Sequence, residues 1–600
     1  MIGVSTSPFH VFLLRKLNTW YSVKDGNWSD PNTWISNGLD KKSYFSPQPG
    51  DNVYVNHNVN LDTGIITTLN NLFIAGKLTS NNGQTLIING NLQASGAIDF
   101  TGSNISIQLF GIANYINSFI PGNSTVIYSR LGTQPLMDIT YNNLTLNMPG
   151  SKYAQNNLTI TGGLIVNGAA NGATALNGVY LDTGLYSLTV NGTTGLASYG
   201  TIRNTGGGYM LFVGSFNCDS FGGFDMSVGN PTIEFRGGVI INNDGTGTNT
   251  GTGQIRFTTD NQSITAKSSI GNIMFNNPIT VENITLTNNS VNGWYICNSL
   301  TGTTSGSTLN NDANLALVTT STIMATGIFN YIHGIGSTMT YAMNTSYTLP
   351  FTSYINLTII SPSVKTLSGD TSISSVLTIK SGTNTSNPAI LDCTGYNLSV
   401  TGQTSLSTFG TLRKSASGNI IFIGGYNCDG FGGFDWTGNP LIEFRGNVVW
   451  NTDGSHANSG TGAIRFTTNN ITLTPKGIGF TLVSNPVTVE NINLTIPTGT
   501  LTVSNINGTT SSSTLINQGT LNIQSSTEIM TTGIVDFSTT LNTVQYNFNG
   551  NQDIKAVTYR NLTLSIGGIK KLLGNVSVQN IYTLASTVTL NSNGFALTNP

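Results

Sequence analysis

The hydrophobic and polar residues of this chain alternate in short runs that are bounded by glycine and asparagine. Residues 85–100 (TLIINGNLQASGAIDF) and 157–168 (NLTITGGLIVNG) are typical, and such runs recur roughly every ten to twenty residues. Alternation with a period of two places Leu, Ile and Val on one face of a β-strand, and Asn-Gly marks the corners. Such strands cannot bury an apolar face alone, so they stack on neighbours. The pattern predicts an all-β, elongated repeat protein built as a β-solenoid, with a string of β-sandwich modules as the alternative.

Self-comparison shows one module twice, about 210 residues apart. The run FNCDSFGGFD from Phe216 matches YNCDGFGGFD from Tyr426, and the match continues through NPITVENITLT and NPVTVENINLT. Tyr128, Tyr341 and Tyr546 each begin a run that leads to YNNLTL, YINLTI or YRNLTL, which indicates a third, partial copy. We therefore divide the chain into a docking segment (1–19), a Trp-rich cap with the first β rungs (20–117), two repeat units (118–330 and 331–535) and a partial third unit (536–600).

Composition narrows the range of functions. Charged residues make up 8% of the chain, against roughly 25% in ordinary soluble proteins. Low charge together with many Thr, Ile and Val residues disfavours long surface helices, so almost no helix is expected beyond the N-terminus. The net charge is −2, and the 23 Lys and Arg residues are scattered. Without a basic stripe to neutralise phosphates, nucleic acid is not an expected partner.

The residue types that bind metals are dispersed, so we predict no metal site and no cofactor. The cysteines have no metal-ligand spacing and are interpreted as buried free thiols. Two Asp-Gly pairs are interpreted as turns, because a calcium loop of the D-x-D-x-D-G type is missing from the sequence. These residues are Cys218, Cys297, Cys393 and Cys428, His10, His57, His333 and His456, and Asp244 and Asp453.

No run approaches the roughly 18 apolar residues that a membrane span requires, so membrane insertion is not expected. A secretory signal needs a basic start, a longer apolar run and a small-residue cleavage site. Here the apolar run of residues 9–14 is short, and Arg15 and Lys16 follow it. An extracellular type of composition without an export signal favours a virion component.

Residues 20–62 differ from the rest, because they carry three of the six tryptophans. The strings DGNWSDPNTW and PQPGDNVYVNHNVNLDTG resemble the Trp-rich opening of large bacterial and phage-encoded β-helix surface proteins. The resemblance implies a β-helix fold and a surface location. The tryptophans are interpreted as a cap over open strand edges, with a sugar-binding platform as the alternative. The matching residues are Gly26, Trp28, Asp30, Trp34, Pro49, Gly50, Asp51 and Val53.

Repeated acidic residues are the candidates for chemistry, because glycan hydrolysis uses two carboxyl groups that flank the scissile bond. Alternation places Glu234 and Arg236 on one face, opposite Ile233 and Phe235. Since both copies carry the same residues, we interpret them as a structural charge-paired ladder, with glycan contact or catalysis as alternatives, and predict neither catalytic residues nor an enzyme. The acids are Asp219, Asp225, Glu234, Asp429, Asp435 and Glu443, and the neighbouring arginines are Arg236, Arg256, Arg445 and Arg465.

These features favour a virion structural protein, a phage tail or head fibre that attaches to a host surface. Its expected partners are other virion proteins, bound through the N-terminal region, and a host-surface glycan or protein. A homotrimer and a monomer both stay open, because no heptad pattern decides between them. A bacterial cell-surface adhesin or surface-layer protein is the alternative, and a glycan depolymerase spike is a third class.

Overall fold

The chain folds as a β-solenoid of about 23 turns, with 52% of residues in strands and 1% in helix. This result confirms the predicted all-β class. The structure, a computed structural model, describes residues 18–37, 45–62, 67–81, 83–168, 177–218, 222–241, 250–266, 273–275, 277–296, 298–380, 387–429, 432–451, 459–468, 470–477, 480–482 and 485–599.

Parallel stacking of the alternating strands forms the core. In the strand Asn143–Leu146, Leu144 and Leu146 are fully buried, whereas Asn143 and Thr145 face outward. Leu144 pairs in parallel register with Leu164 of the next turn, so identical side-chain types stack along the interior. Parallel pairing excludes the β-sandwich alternative, because sandwich sheets are antiparallel. Among the described pairings, only that of Thr19–Ser22 with Trp34–Ser36 is antiparallel.

Asparagine side chains hold successive corners together, which explains part of the unusual composition. The Asn71 amide donates to Asn52 Oδ1 at 2.8 Å, and Asn71 Oδ1 accepts the backbone N–H of Asn91 at 2.8 Å. Gly90 lies in the same corner, and a Cβ there would approach the backbone oxygen of Asn70 to 2.6 Å. The Asn89-Gly90 pair therefore forms a corner between two strands, Thr85–Ile88 and Leu92–Asp99.

The chain divides into two compact units. Unit 1 contains the described residues up to 294 together with 298–309 and 323–328. Unit 2 contains residues 295–296 and 310–322 and the described residues from 329 onward.

Unit 1 begins with a nine-stranded sheet and a short 3-10 helix, Pro31–Thr33. The nine strands are Thr19–Ser22, Gly26–Asn27, Trp34–Ser36, Asn52–Val55, Asn58–Leu61, Asn71–Ile74, Lys77–Ser80, Leu92–Asp99 and Tyr115–Ile120. Three parallel sheets then form the faces of the solenoid. The first contains Thr67–Leu69, Thr85–Ile88, Ser106–Leu109, Thr125–Tyr128, Asn143–Leu146, Leu164–Asn167, Thr194–Ala197, Phe216–Cys218, Val239–Ile241, Gln262–Ala266 and Thr285–Asn288. The second contains Gln134–Pro135, Gly150–Tyr153, Val179–Asp182, Gly200–Arg203, Gly223–Met226 and Thr250–Gly251; the third contains Leu158–Ile160, Leu188–Val190, Tyr209–Phe212, Thr232–Phe235, Ile255–Phe257, Pro278–Val281 and Ser299–Gly302.

Unit 2 has the same arrangement. Its first face contains Asn314–Leu317, Thr338–Tyr341, Asn356–Ile359, Leu377–Ile379, Thr404–Leu406, Tyr426–Cys428, Val448–Asn451, Ile471–Lys476, Asn493–Ile496, Thr514–Asn517 and Ile534–Asp536. Its second contains Tyr347–Leu349, Val364–Leu367, Ala389–Asp392, Gly410–Arg413, Gly433–Trp436 and Ser459–Gly460; its third contains Ser353–Tyr354, Thr371–Ile373, Leu398–Val400, Asn419–Phe422, Leu441–Phe444, Ala463–Phe466, Val487–Val489 and Ile506–Gly508. Two further sheets contain Phe480–Leu482, Thr500–Val503, Thr520–Ile523, Thr543–Tyr546, Thr558–Leu564, Val576–Leu584 and Leu597–Thr598, and Gln552–Ile554, Gly568–Leu572 and Val588–Asn591. The strands near the chain division are Ile273–Phe275, Trp294–Ile296, Thr308–Asn311 and Ile328–Asn330.

Each repeat copy begins with a buried pair of tyrosines, 13 residues apart, whose hydroxyl groups are hydrogen-bonded. The oxygen–oxygen distances are 2.8 Å for Tyr128–Tyr141, 3.3 Å for Tyr341–Tyr354 and 2.8 Å for Tyr546–Tyr559. Burial raises the pKa of Tyr128 and of Tyr546 to about 12. The hydroxyl groups therefore stay protonated and hydrogen-bonded at neutral pH.

A fully buried lysine follows each tyrosine pair, at Lys152, Lys365 and Lys570. The Lys152 ammonium donates to the carbonyl oxygens of Arg130 and Gly132 at 2.8 and 2.9 Å. Lys365 donates to the corresponding carbonyl of Met343 at 2.9 Å. Burial lowers the pKa of both Lys152 and Lys365 to about 8. Through these hydrogen bonds, each lysine connects its own strand to the backbone at the corner of the preceding turn.

Candidate functional site

The repeated acids form two outward-facing networks, one in each repeat copy. We call the first the Glu234 ladder and the second the Glu443 ladder. Their members are Glu234, Arg236, Arg256, Thr258 and Glu282 in the first copy, and Glu443, Arg445, Arg465, Thr467 and Glu490 in the second.

The Glu234 ladder follows from strand alternation and parallel register. Ile233 and Phe235 point into the core, so Glu234 points outward, as predicted. Arg236 Nε lies 2.6 Å from Glu234 Oε1. The paired position on the next turn is Arg256, whose guanidinium lies 3.4 Å from Glu234 Oε2.

Two hydroxyl groups complete the contacts of Glu234. Thr258 Oγ1 donates to Glu234 Oε1 at 2.7 Å, and the Tyr209 hydroxyl donates to Oε2. Arg256 in turn forms a two-point ion pair with Glu282, in which its NH2 group lies 2.7 Å from Oε2. Both oxygens of a carboxylate with only 3% of its residue surface exposed are therefore engaged.

The Glu443 ladder has the same pairing without the tyrosine. Arg445 Nε lies 2.5 Å from Glu443 Oε1, and Thr467 Oγ1 donates to the same oxygen at 2.9 Å. Arg465 lies 3.9 Å from Glu443 and also pairs with Glu490. Asn419 occupies the position that corresponds to Tyr209, because it begins the equivalent strand.

The electrostatics of both ladders suit a permanent carboxylate. Burial raises the pKa of Glu234, but hydrogen bonds from Tyr209, Thr258 and Arg236 outweigh this effect and hold the pKa below its ordinary value. The pKa of Glu443 is lowered in the same way by Arg445 and Thr467, against the effect of burial. A general acid for glycoside hydrolysis needs a raised pKa. The ion pairs of Glu234 with Arg256 and of Glu443 with Arg465 connect successive turns.

The other candidate acids also contact their own module. Asp225 pairs with Arg203 of the preceding turn at 3.1 Å, and Asp435 pairs with Arg413 at 2.8 Å. The backbone oxygen of Asp429 accepts the N–H of Gly432 at 2.8 Å and closes a turn. Asp219 lies outside the described residues.

The N-terminal tryptophans lie inside the cap, which argues against the alternative of a sugar-binding platform. Trp20, Trp28 and Trp34 are 2–3% exposed. Trp20 Nε1 donates to Asp51 Oδ2 at 2.7 Å, and Trp34 Nε1 donates to the backbone oxygen of Trp28 at 2.9 Å. The tryptophans and Asp51 of the motif therefore serve folding, because a buried indole needs a hydrogen-bond acceptor.

An aromatic row, which the sequence analysis missed, lies on the outer face of the cap sheet. In-register parallel pairing places Tyr21 beside Tyr54, Tyr54 beside Phe73, Phe73 beside Gln93, and Gln93 beside Tyr115. The rings of Tyr21 and Tyr54 stack at 4.9 Å, and those of Tyr54 and Phe73 stack at 4.5 Å. The signal in the sequence is the central aromatic residue of WYS, VYV and LFI.

A groove of about 180 Å³ lies along the row and is lined by Tyr54, Phe73, Gln93 and Tyr115. Asn56 and Ser95 contribute polar groups to its lining, and Ile74 and Ala75 contribute apolar ones. Tyr115 is 47% exposed. This groove occurs in the cap, outside the duplicated modules.

No known protein family, curated protein or solved structure matches this chain.

The metal-binding residue types are dispersed in the part of the chain that the structure describes. Among the described residues, no group of three His, Cys, Asp or Glu side chains could hold a metal ion. Cys218, Cys393 and Cys428 are buried and form no disulfide bond, and burial raises the pKa of Cys393 and Cys428 to about 12. His57 contacts Ser22, and His333 contacts Asp312. The remaining candidates, His10, Asp244, Cys297, Asp453 and His456, lie outside the described residues.

Within the described part of the chain, no helix has the length and apolar character needed to span a membrane. Most of the proposed docking segment, residues 1–17, lies outside the described residues.

Proposed function

We propose that this chain is a structural attachment protein, a virion fibre that carries a recognition surface to a host cell. The observation that supports this function most directly is the duplication of the whole module, with the Glu234 and Glu443 ladders built from the same partners. A catalytic centre needs to be built once, whereas a spacer element gains length from every additional copy.

The outer faces suit such a spacer. Thr145 and Thr189 are typical outward-facing residues of unit 1. Thr378 and Ser399 are similar outward-facing residues with hydroxyl groups in unit 2. Hydroxyl and amide side chains keep a surface hydrated without a strong charge. These side chains limit nonspecific electrostatic binding, so that recognition depends on particular sites. Each contact is weak, but the overall affinity rises when several copies of the protein bind one surface.

In this proposal the N-terminal region binds other virion proteins, and the repeats project outward. A bacterial adhesin or surface-layer protein is the second candidate, favoured by the resemblance of the Trp-rich cap to bacterial surface proteins. Immunogold electron microscopy with antibodies against the purified protein separates the two. Label on free particles of a lysate supports the fibre, and label on intact cells alone supports the adhesin. Label on neither particles nor cells would rule out both the fibre and the adhesin.

A deletion tests the spacer role. Tyr341 and Tyr546 end equivalent strands, so removing residues 342–546 joins Tyr341 to Asn547 in register. Nine strands of the first face of unit 2 are lost, which at about 4.8 Å each should shorten the projection by about 43 Å. Attachment to the particle should persist.

Deleting residues 1–62 should instead release the protein from the particle, while the number of repeats stays unchanged.

The opposite pattern decides against a fibre. If electron microscopy places the N-terminal region distally and the repeats within the particle wall, the chain is a shell or scaffold component.

A further inference from the structure

The turn before the strand Leu597–Thr598 is built around an exposed Asn-Gly pair, Asn593 and Gly594. The N–H of Phe595 donates to the carbonyl oxygen of Ser592 at 2.8 Å and closes the turn. Asn593 and Gly594 are its two central residues, with φ angles of 52° and 84°. Asparagine and glycine adopt this left-handed region more readily than other residues, so turn geometry explains why the pair occurs here.

The second repeat copy contains the same turn with a different pair. The N–H of Tyr396 donates to the carbonyl oxygen of Cys393 at 2.9 Å, and Thr394 and Gly395 are the central residues. Thr394 has a φ angle of 48°, and its carbonyl oxygen accepts the N–H of Ala416 from the next turn of the solenoid. Gly395 is nevertheless exposed. The turn therefore stays accessible even where a further turn of the solenoid follows it.

An exposed Asn-Gly pair is chemically labile. In deamidation, the backbone nitrogen of Gly594 attacks the side-chain carbon Cγ of Asn593, and the side-chain nitrogen leaves as ammonia with the proton of the backbone N–H. Water then adds to either carbonyl of the cyclic imide and opens it to aspartate or isoaspartate. Glycine favours the attack, because no Cβ hinders the approach. The hydrogen bond that closes the turn uses the N–H of Phe595, so the Gly594 nitrogen takes no part in it.

Asn-Gly pairs at the corners of the solenoid are held differently. In the pair Asn191-Gly192, the N–H of Gly192 donates to the carbonyl oxygen of Gly162 in the preceding turn at 2.9 Å. The N–H of Gly90, which follows Asn89, donates to the preceding turn in the same way. A backbone nitrogen in such a bond reaches the neighbouring side chain only after the bond opens locally. The corner pairs are therefore protected from the same reaction.

We propose that Asn593 is a site of spontaneous deamidation in the folded protein, whereas Asn89 and Asn191 are protected by the hydrogen bonds of the solenoid. The reaction introduces a carboxylate into residues 572–600, which contain no charged residue. The new carboxylate also replaces the amide that donates to the carbonyl oxygen of Leu572 at 3.3 Å. An attractive contact thereby becomes a repulsive one.

Isoaspartate has a further effect, because its backbone contains an additional carbon atom. The turn connects Val588–Asn591 to Leu597–Thr598, and Leu597 pairs with Val576 of the preceding turn. A longer turn shifts Leu597 out of this register. Deamidation should therefore loosen this turn progressively as the protein ages.

Peptide mapping by mass spectrometry tests the site in the full-length protein during storage for several weeks at mildly alkaline pH. In the folded protein, Asn593 should convert to aspartate and isoaspartate at least about tenfold faster than Asn89 or Asn191, because local opening limits the protected pairs. In denaturant the three sites should react within about threefold of one another, since no folded structure protects them. Hydrogen exchange of residues 588–598 should increase as the conversion proceeds.

Two variants test whether the turn itself is the cause. Asn593→Thr copies the Thr-Gly turn of the second copy, and it should abolish both the conversion and the rise in hydrogen exchange. Thr394→Asn creates an Asn-Gly pair in the equivalent turn, which should deamidate within about threefold of the rate at Asn593. Circular dichroism should show the same fold in both variants.

Four results would overturn the proposal. They are equal rates at Asn593 and Asn191 in the folded protein, an unmodified Asn593 when the denatured chain reacts, no conversion at position 394 in the Thr394→Asn variant, or an unchanged hydrogen exchange of residues 588–598 after complete conversion.

Discussion

The two full repeat copies differ at several large side chains inside the solenoid, whereas their charged outer ladders share most of their members. Phe216, Met226 and Ile241 of the first copy correspond to Tyr426, Trp436 and Trp450 of the second, and all six are buried. The first copy packs phenylalanine rings against one another, such as Phe212 on Phe235 at 5.6 Å. The second adds larger rings, such as Trp450 on Tyr426 at 5.1 Å. The ladders outside these cores keep the same glutamate, arginine and threonine partners.

The difference follows from the directionality of the interactions. Apolar contacts have no preferred partner, so a core accepts new shapes when the total volume is refitted. An ion pair or a buried hydrogen bond needs a particular atom at a particular distance, and a lost partner leaves a polar group unsatisfied. The buried Tyr128–Tyr141 and Tyr341–Tyr354 pairs, which are retained inside the cores, obey the same rule.

Truncation of Trp450 is expected to have the largest effect, and it tests whether each copy packs its own core independently. Trp450→Ala should lower the free energy of local unfolding by about 3–5 kcal/mol, because a large cavity remains. Ile241→Ala, the matched change in the first copy, removes fewer atoms and should cost less. Hydrogen exchange of peptides from each copy measures both, since a repeat protein opens locally. A loss below about 1 kcal/mol for Trp450→Ala would show that the second core is loosely packed.

The next largest effect is expected when a ladder loses its charge. Glu234→Gln should destabilise the first copy by about 3 kcal/mol, because Arg236 and Arg256 lose a nearly buried counter-charge. Glu443→Gln should cost less, since the Glu443 side chain is 12% exposed and that of Glu234 is 4% exposed. Local hydrogen exchange is again the measurement. Loss of a polysaccharide-degrading activity with unchanged stability would instead show that the ladders are catalytic.

The buried lysines give a pH dependence that both units should share. In the folded state the pKa of Lys152 and Lys365 is about 8, against 10.5 in the unfolded chain. Between these values the unfolded state binds more protons, so stability should rise with pH, by about 1–2 kcal/mol per lysine from pH 8 to 9.5. Above pH 10 the unfolded tyrosines ionise first, and stability should fall again, because burial holds the pKa of Tyr128 at about 12.

Denaturation midpoints across this range provide the measurement. Lys152→Met should flatten the rise in unit 1 and leave it in unit 2. A decline between pH 8 and 10 in the wild-type protein would mean that the carbonyl contacts, rather than burial, set the lysine pKa.

The smallest effect concerns the one partner that differs between the ladders. Asn419→Tyr should supply Glu443 with the hydroxyl contact that Tyr209 gives Glu234, and should stabilise the second copy by about 0.5–1.5 kcal/mol. Tyr209→Asn should cost the first copy a similar amount. If neither change alters local exchange, the tyrosine contact contributes nothing to the ladder.

The fold was predictable because alternation and repetition act locally and recur in every turn. The NLTL-type runs indicate strands with an apolar face, and near-copies such as those at Phe216 and Tyr426 require a common architecture. The pairing of Glu234 with Arg236 was also predictable, since alternation places residues two apart on one face. Its contacts with Arg256 and Thr258 were not, because they depend on the register between turns.

Register also explains what the sequence analysis missed. Tyr128 and the tyrosine of YNNLTL were recognised as repeated residues, but their contact needs the path of the chain around a turn. Lysine side chains are usually exposed, so the residue type of Lys152 gave no reason to expect its burial. The only signal in the sequence was that a lysine recurs at this position in each copy. Tyr54, Phe73 and Tyr115 lie in separate strands, and only the parallel pairing aligns them in one row.

Short-range parallel pairing also bears on how the chain acquires its structure. Leu144 pairs with Leu164, and Glu443 pairs with Arg465, so each strand finds its partner within a few tens of residues. Such a low contact order favours rapid local folding. Each completed turn then offers its exposed edge as a template for the next, in the order in which the ribosome delivers them. Stalled nascent chains that end after residue 330 should already protect unit 1 strands from protease, whereas a chain that needed its C-terminal half would remain fully digestible.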